Sequence, residues 1–125
     1  VIGGFVQGMG WLTTEELRWH DDGRLLTHAP SSYKIPTARD LPEHMVLNFW
    51  PMPNREDNVG RSKAVGEPPL MLALSVIEAL RDAVANIRAA SHTSQRPLGV
   101  EGPMVHLDAP ATPERVFFAI RHRAE

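Results

Sequence analysis

One carboxylate, Glu67, stands in the stretch "KAVGEPP", between Gly66 and the prolines 68 and 69, directly ahead of an apolar run. Gly66 permits unusual backbone angles and close approach, and Pro68 is expected to hold Glu67 extended. Side chain and backbone are therefore constrained together. The nearby helix start favours an anion by about 0.3–1 kcal/mol. Burial beside Leu70–Ser75 would favour the neutral acid and raise its pKa, which suits a general base working near neutral pH. Pattern alone leaves both roles open, a helix-end anion and an acid–base group.

The remaining chemistry-bearing residues are less organised. Histidines at 20, 28, 44, 92, 106 and 122 show no recognised metal-ligand spacing. They read as surface or hairpin residues. Tyr33, the single tyrosine, adjoins Lys34 in a proline-bounded loop, and reads as a packing tyrosine beside a solvated lysine. "GGFVQGMG" lacks the lysine and the spacing of a phosphate loop. Its glycines would each weaken an isolated helix by up to ~1 kcal/mol, so they make sense where a neighbour or ligand approaches the backbone closely.

The elements that would position these groups follow from periodicity. Phe5, Met9, Leu12 and Glu16 recur at helical spacing. Asp22-Gly23 predicts a hairpin with strands at 17–20 and 24–28. Met45–Trp50 reads as a strand closed by Pro51 and Pro53. From Pro69 to Ala90 a stripe of Leu70, Ala73, Leu74, Ile77, Leu80, Val84 and Ile87 predicts one long helix, buried on every side in its first turns. "MVHLDAP" reads as a short strand. A last helix begins at Thr112, with Pro113 at its first position. Helices and hairpins without a βαβ rhythm predict an α+β fold, a small mixed domain over residues 1–125.

At 125 residues the chain suits one domain with a modest core, and its net charge of -2 with no basic face argues against nucleic acid. Cysteine is absent, so the chain itself forms no disulfide, thiolate zinc site or iron–sulfur ligation. The apolar run from Leu70 to Leu80, broken by Ser75 and Glu78, is too short and polar for a membrane span. With no signal-type N-terminus, the expected location is cytoplasmic. A start at Val1 is expected of a piece cut from a longer polypeptide.

The segments "GFVQGMGWLTTEEL", "PSSYKIPTARDLPEH", "PNRED", "RSKAVGEPPLMLALSVIEALRDAV" and "LDAPATPERV" together resemble the xanthine dehydrogenase and aldehyde oxidase superfamily. The likeness is to the C-terminal part of the large, molybdenum-cofactor-binding subunit, and it runs in order along nearly the whole chain. It implies that Glu67 is the general base, taking a proton from a water-derived ligand on molybdenum so that the oxygen attacks an electron-poor purine carbon. It implies that Ala64, Val65 and Gly66 lie against the molybdenum–molybdopterin cofactor, whose pterin, not a protein side chain, holds the metal. Electrons would leave through iron–sulfur clusters and FAD to NAD, carried on other parts of the enzyme.

Two departures bear on what the chain does alone. The family's glycine–glutamine pair precedes the position of Val1, and Ile2 stands where the family has an acidic residue. The chain is thus expected to carry one catalytic residue of a site it does not complete, and to be inactive in isolation. Its expected partners are the remainder of the molybdenum-binding subunit, the iron–sulfur and FAD subunit and a purine. Self-association through apolar surface is also expected. A related hydroxylase acting on aldehydes or other heterocycles, or a non-catalytic scaffold, remains an alternative.

Overall fold

The computed structural model describes residues 1–63, 66–87 and 105–124. Four helices organise them: α1 (Ile2–Thr13), α2 (Pro68–Met71), α3 (Leu74–Asn86) and α4 (Pro113–Ala124). Single 3-10 turns, Ala38–Asp40 and Val59–Arg61, punctuate the long connection between α1 and α2.

The α+β expectation is overturned: among the described residues the fold is helical and has no sheet. The hairpin shrinks to an isolated bridge between Trp19 and Leu25. Its turn does form, with Gly23 at φ 84° and the His20 amide donating to the Arg24 carbonyl at 2.8 Å. Pairing stops there because no described element covers it. Leu17 and Trp19 are 59% and 60% exposed, and a bare two-stranded ribbon is marginal in water. Met45–Trp50 finds no partner strand among the described residues, and residues 105–108 run irregularly, with Met104 outside the described residues.

α1 forms despite its glycines because they serve its packing. A Cβ at Gly8 would stand 2.5 Å from the Leu70 carbonyl oxygen and 2.6 Å from the Ala73 Cβ, and one at Gly4 would meet the Pro69 Cβ at 3.1 Å. The glycine face of α1 is therefore the seat of α2 and of the start of α3. Ala73, fully buried, is the residue that fits against Gly8.

The predicted long helix is broken in two at Leu72 and Ala73. Both keep right-handed helical angles, but the hydrogen bonds tighten. The Ala73 amide donates to the Leu70 carbonyl at 3.2 Å, Ser75 to Leu72 at 3.1 Å and Val76 to Ala73 at 2.9 Å. These are three-residue reaches of the 3-10 kind. The Ser75 hydroxyl also donates to the Leu72 carbonyl at 2.7 Å, a local bond that competes with the helix ladder. Residues 88–90 of the predicted helix lie outside the described residues.

The core joins α3 to α4. Ile77, Val84, Leu107, Ala111 and Ala119 are buried together, with Leu12, Leu80, Val116 and Ile120 half-buried around them. The segment between α3 and α4 is stitched down by polar groups. Arg81 Nε–H donates to the Leu107 carbonyl at 3.0 Å, and the Ala111 amide donates to the Leu12 carbonyl at 2.7 Å. Arg115 donates to the Ala109 and Pro110 carbonyls and pairs with Glu16 at 3.1 Å. α4 starts as its sequence predicts, with the Arg115 amide donating to the Thr112 hydroxyl at 3.3 Å.

The first turns after Pro69 are not enclosed, contrary to expectation. Met71, Leu72 and Leu74 are 57%, 61% and 48% exposed, because α1 covers only the face carrying Leu70 and Ala73.

Gly8→Ala should cost about 1–3 kcal/mol in urea denaturation, since the added methyl must force α1 off α2. Gly3→Ala, whose methyl meets nothing within 4 Å, should be neutral or stabilising by up to ~1 kcal/mol. Equal responses at the two positions would contradict the glycine seat.

Candidate functional site

The path to Glu67 begins at Asn54. Its Nδ2–H donates to the Arg61 carbonyl at 3.2 Å, and Arg61 Nη1–H returns a bond to the Asn54 carbonyl at 3.4 Å. Asn58 Nδ2–H donates to the Ser62 carbonyl at 3.3 Å. These bonds close residues 54–62 into a loop. Within it Gly60 and Arg61 take left-handed φ values of 61° and 54°. For a side-chain-bearing residue such as Arg61 that conformation costs about 1–2 kcal/mol, and the reciprocal bonds with Asn54 oppose its release. Of the residues predicted to face the cofactor, Ala64 and Val65 lie outside the described residues.

Glu67 immediately precedes α2, at φ -83° and ψ -32°. This helical conformation corrects the extended one expected before proline. The preference is a bias, and here the Glu67 carbonyl accepts from the Leu70 and Met71 amides at 2.9 and 3.2 Å, which draws the residue into the turn. The side chain makes no capping hydrogen bond and is exposed. The burial expected beside Leu70–Ser75 does not occur within the described residues.

Gly66 differs from the glycines of α1. A Cβ there would meet nothing within 4 Å, and its φ is not among the left-handed ones. Neither packing within the described residues nor backbone angle demands glycine at this position. Among the described residues the Cβ side of Gly66 is open, and it adjoins the exposed Glu67.

A second grouping was not read from the sequence. Glu15, just past α1, is 9% exposed and lines a cavity of about 310 Å³ with Val6, Gln7, Trp11, Ile35 and Pro36. Tyr33 belongs with Glu15 and not with its chain neighbour Lys34. The Tyr33 phenol is held above its usual pKa by its hydrogen bond to the Glu15 carboxylate, then by burial, then by the negative charge. The loop is pinned to the end of α1 by the Thr14 hydroxyl donating to the Lys34 carbonyl at 2.7 Å. The only signal in the sequence was Glu15-Glu16 closing an apolar helix, which reads as ordinary solvated charge.

Asp40 closes the nearby 3-10 turn. Its carboxylate accepts from the Thr37 amide and hydroxyl at 2.7 and 2.8 Å, and the backbone bond, then the side-chain bond, hold its pKa below the usual carboxylate range. A cavity of about 320 Å³ lies under Tyr33, beside Leu17, His28 and Ile35. Glu67 lines neither cavity. Among the described residues no group of three His, Asp or Glu side chains is placed to hold a metal ion.

Residues 1–42 match the molybdopterin cofactor-binding domain family. The chain is 43% identical over 116 residues to xanthine dehydrogenase/oxidase of Gallus gallus, covering 93% of this chain and 8% of that protein. It is 42% identical over 129 residues to nicotinate hydroxylase of Emericella nidulans, covering 100% of this chain and 8% of that protein. Aldehyde oxidase 2 of Macaca fascicularis is 39% identical over 98% of this chain, again 8% of the relative. The chain thus spans less than a tenth of the length of the curated relatives it matches.

Because the chain holds a single tyrosine, ultraviolet absorbance reports Tyr33 alone. It should ionise above the usual phenol value of about 10, and Glu15→Gln should lower that midpoint. A raised folded-state pKa contributes stability that is complete below the unfolded value and is lost as pH rises through the folded one. Alkaline unfolding should therefore follow the phenol titration, and an unshifted midpoint in the variant would count against the pairing.

Proposed function

This chain belongs to the molybdopterin-binding xanthine dehydrogenase and aldehyde oxidase family, and from that premise we propose that it contributes Glu67 as the general base of a molybdenum hydroxylase. The carrying observation is the state of that carboxylate: exposed, uncapped, and mounted on a turn that α1 holds by close packing. A helix-end anion would bond the amides of its own helix, and Glu67 leaves that to its carbonyl.

The residues present fit the cofactor implied by the family. Among the described residues nothing lies within 4 Å of the Cβ side of Gly66, which leaves room there for a bound group. Gly66, with Ala64 and Val65, would lie against the cofactor. When bound, the molybdenum–pterin group supplies the oxygen nucleophile and accepts the electrons of the reaction. Glu67 would hold the proton given up by the water-derived oxygen that is transferred to an electron-poor ring carbon of the substrate. Approach of the cofactor and substrate would remove water from the carboxylate, which raises its proton affinity toward that of a working base.

The substrate we propose is a purine, hypoxanthine or xanthine, hydroxylated toward urate. Identity to a xanthine dehydrogenase/oxidase supports it, while the nicotinate and aldehyde relatives mark the other substrates such a framework serves. Iron–sulfur clusters, FAD and NAD would carry electrons away on other parts of the enzyme, in the cytoplasm. The chain without those parts would be inactive.

In the intact enzyme, Glu67→Gln and Glu67→Ala should lower turnover by about 10²–10⁴-fold or more, with molybdenum and pterin content unchanged. Hydroxylation near the wild-type rate would overturn the role of Glu67. A panel of xanthine, nicotinate and an aromatic aldehyde, compared by kcat/KM, checks the substrate separately.

A further inference from the structure

Helix α1 is gripped through glycines on two faces. Gly4 and Gly8, four residues apart, lie about 40° from each other around the helix, whereas Gly10 lies about 200° on from Gly8. The first face takes Pro69, Leu70 and Ala73. On the second, a Cβ at Gly10 would stand 2.5 Å from Pro36 Cδ and would also meet the Glu15 carboxylate. Gly8 and Gly10 are both buried.

This two-sided grip decides which partner yields when the Gly8 contact is widened. α1 is 12 residues long and backed by Pro36. The Thr14 hydroxyl ties its end to the Lys34 carbonyl at 2.7 Å. Its Leu12 carbonyl accepts from the Ala111 amide at 2.7 Å, and the Leu12 side chain packs on the core. α2 has four residues, none of them buried. A side chain added at Gly8 therefore displaces α2 and leaves α1 in place. The displacement passes to Glu67, whose carbonyl accepts from the Leu70 amide at 2.9 Å and the Met71 amide at 3.2 Å, so that residues 67–71 move as one turn.

The size of that movement follows from the contact. Real Cβ atoms essentially never approach another heavy atom closer than 3.0 Å, and the Leu70 carbonyl oxygen lies 2.5 Å from the Cβ that Gly8 lacks. The turn must shift by at least about half an ångström. A general base has to reach its proton across ~2.6–3.2 Å, and a misplacement of ~1 Å can cost about 10²-fold in rate. We infer that Gly8, and to a smaller degree Gly4, is a positioning residue that aims Glu67 by letting α2 seat directly on the backbone of α1. This rests on Glu67 as the base and adds what holds it in register. At Gly4 the missing Cβ is 3.1 Å from the Pro69 Cβ, a tight contact that needs only a small adjustment.

Steady-state kinetics of the intact enzyme test this, with the best substrate among xanthine, nicotinate and an aromatic aldehyde, and with molybdenum and pterin content measured alongside. Gly8→Ala should lower kcat by about 10–100-fold while KM changes by less than ~3-fold. Gly4→Ala should lower kcat by about 2–5-fold, and Gly3→Ala, whose methyl meets nothing, should leave it unchanged. Val84→Ala weakens the core between α3 and α4, so its urea midpoint should fall and its kcat should not. If kcat instead tracks the urea midpoint across all four variants, the glycines serve stability alone and the inference is overturned. Adding Gly8→Ala to Glu67→Gln should cost less than ~2-fold further, because the group being aimed is gone. A loss that multiplies in full would overturn the route through Glu67. Glu67→Gln near the wild-type rate would refute the base itself. A crippled Glu67→Gln beside fully active Gly8→Ala and Gly4→Ala would refute only the positioning. Should Gly8→Ala fail to fold, Gly4→Ala decides: kcat below those of Gly3→Ala and Val84→Ala supports the inference, and kcat equal to theirs overturns it.

Discussion

The close approach of α1 to the chain at Leu70–Ala73 is the contact on which the described structure depends. It exists because Gly8 has no side chain where the Leu70 carbonyl and Ala73 methyl lie. Dispersion falls off steeply with distance, so a larger residue would separate the helices and forfeit much of their contact. The same contact fixes where Glu67 stands, since α2 is only Pro68–Met71 and too short to hold itself. Glycines that look like a weakness in an isolated helix are thus the means by which a short turn, and its carboxylate, is held to a longer element.

Beyond that contact the chain is held modestly. Among the described residues its core of small and medium side chains contains no large one that is fully buried. Polar stitches from Arg81 and Arg115 secure the segment that brings Leu107 and Ala111 into place. Arg115 donates to backbone carbonyls as well as pairing with Glu16, so its planar fork orders a connection as well as balancing a charge. Apolar surface is left around Met71, Leu72 and Met45–Trp50.

The features legible in the sequence were those decided within a few residues. The start of α4 at Thr112 and Pro113, the turn at Asp22-Gly23 and the helical spacing of α1 all rest on local preference. The strands were misread because a strand needs a partner that composition does not contain. Val46, Phe49 and Trp50 carry strand character without a sheet to join among the described residues. The long helix was misread at Leu72–Ala73, where the Ser75 hydroxyl takes the Leu72 carbonyl and the Gly8 contact sets the position of Ala73.

For the site, sequence by itself marked a family and left the role of one carboxylate open. Glu67 beside Gly66 and two prolines marked a constrained carboxylate, and the motifs around it marked a family. Only the tertiary structure decided that this carboxylate is uncapped and exposed, that among the described residues Gly66 has no packing partner while Gly8 does, and that Tyr33 answers to Glu15 and not to Lys34. The reason is physical. Residue type and spacing set what a group can do, whereas burial, pairing and free space depend on segments distant in sequence that only folding brings together.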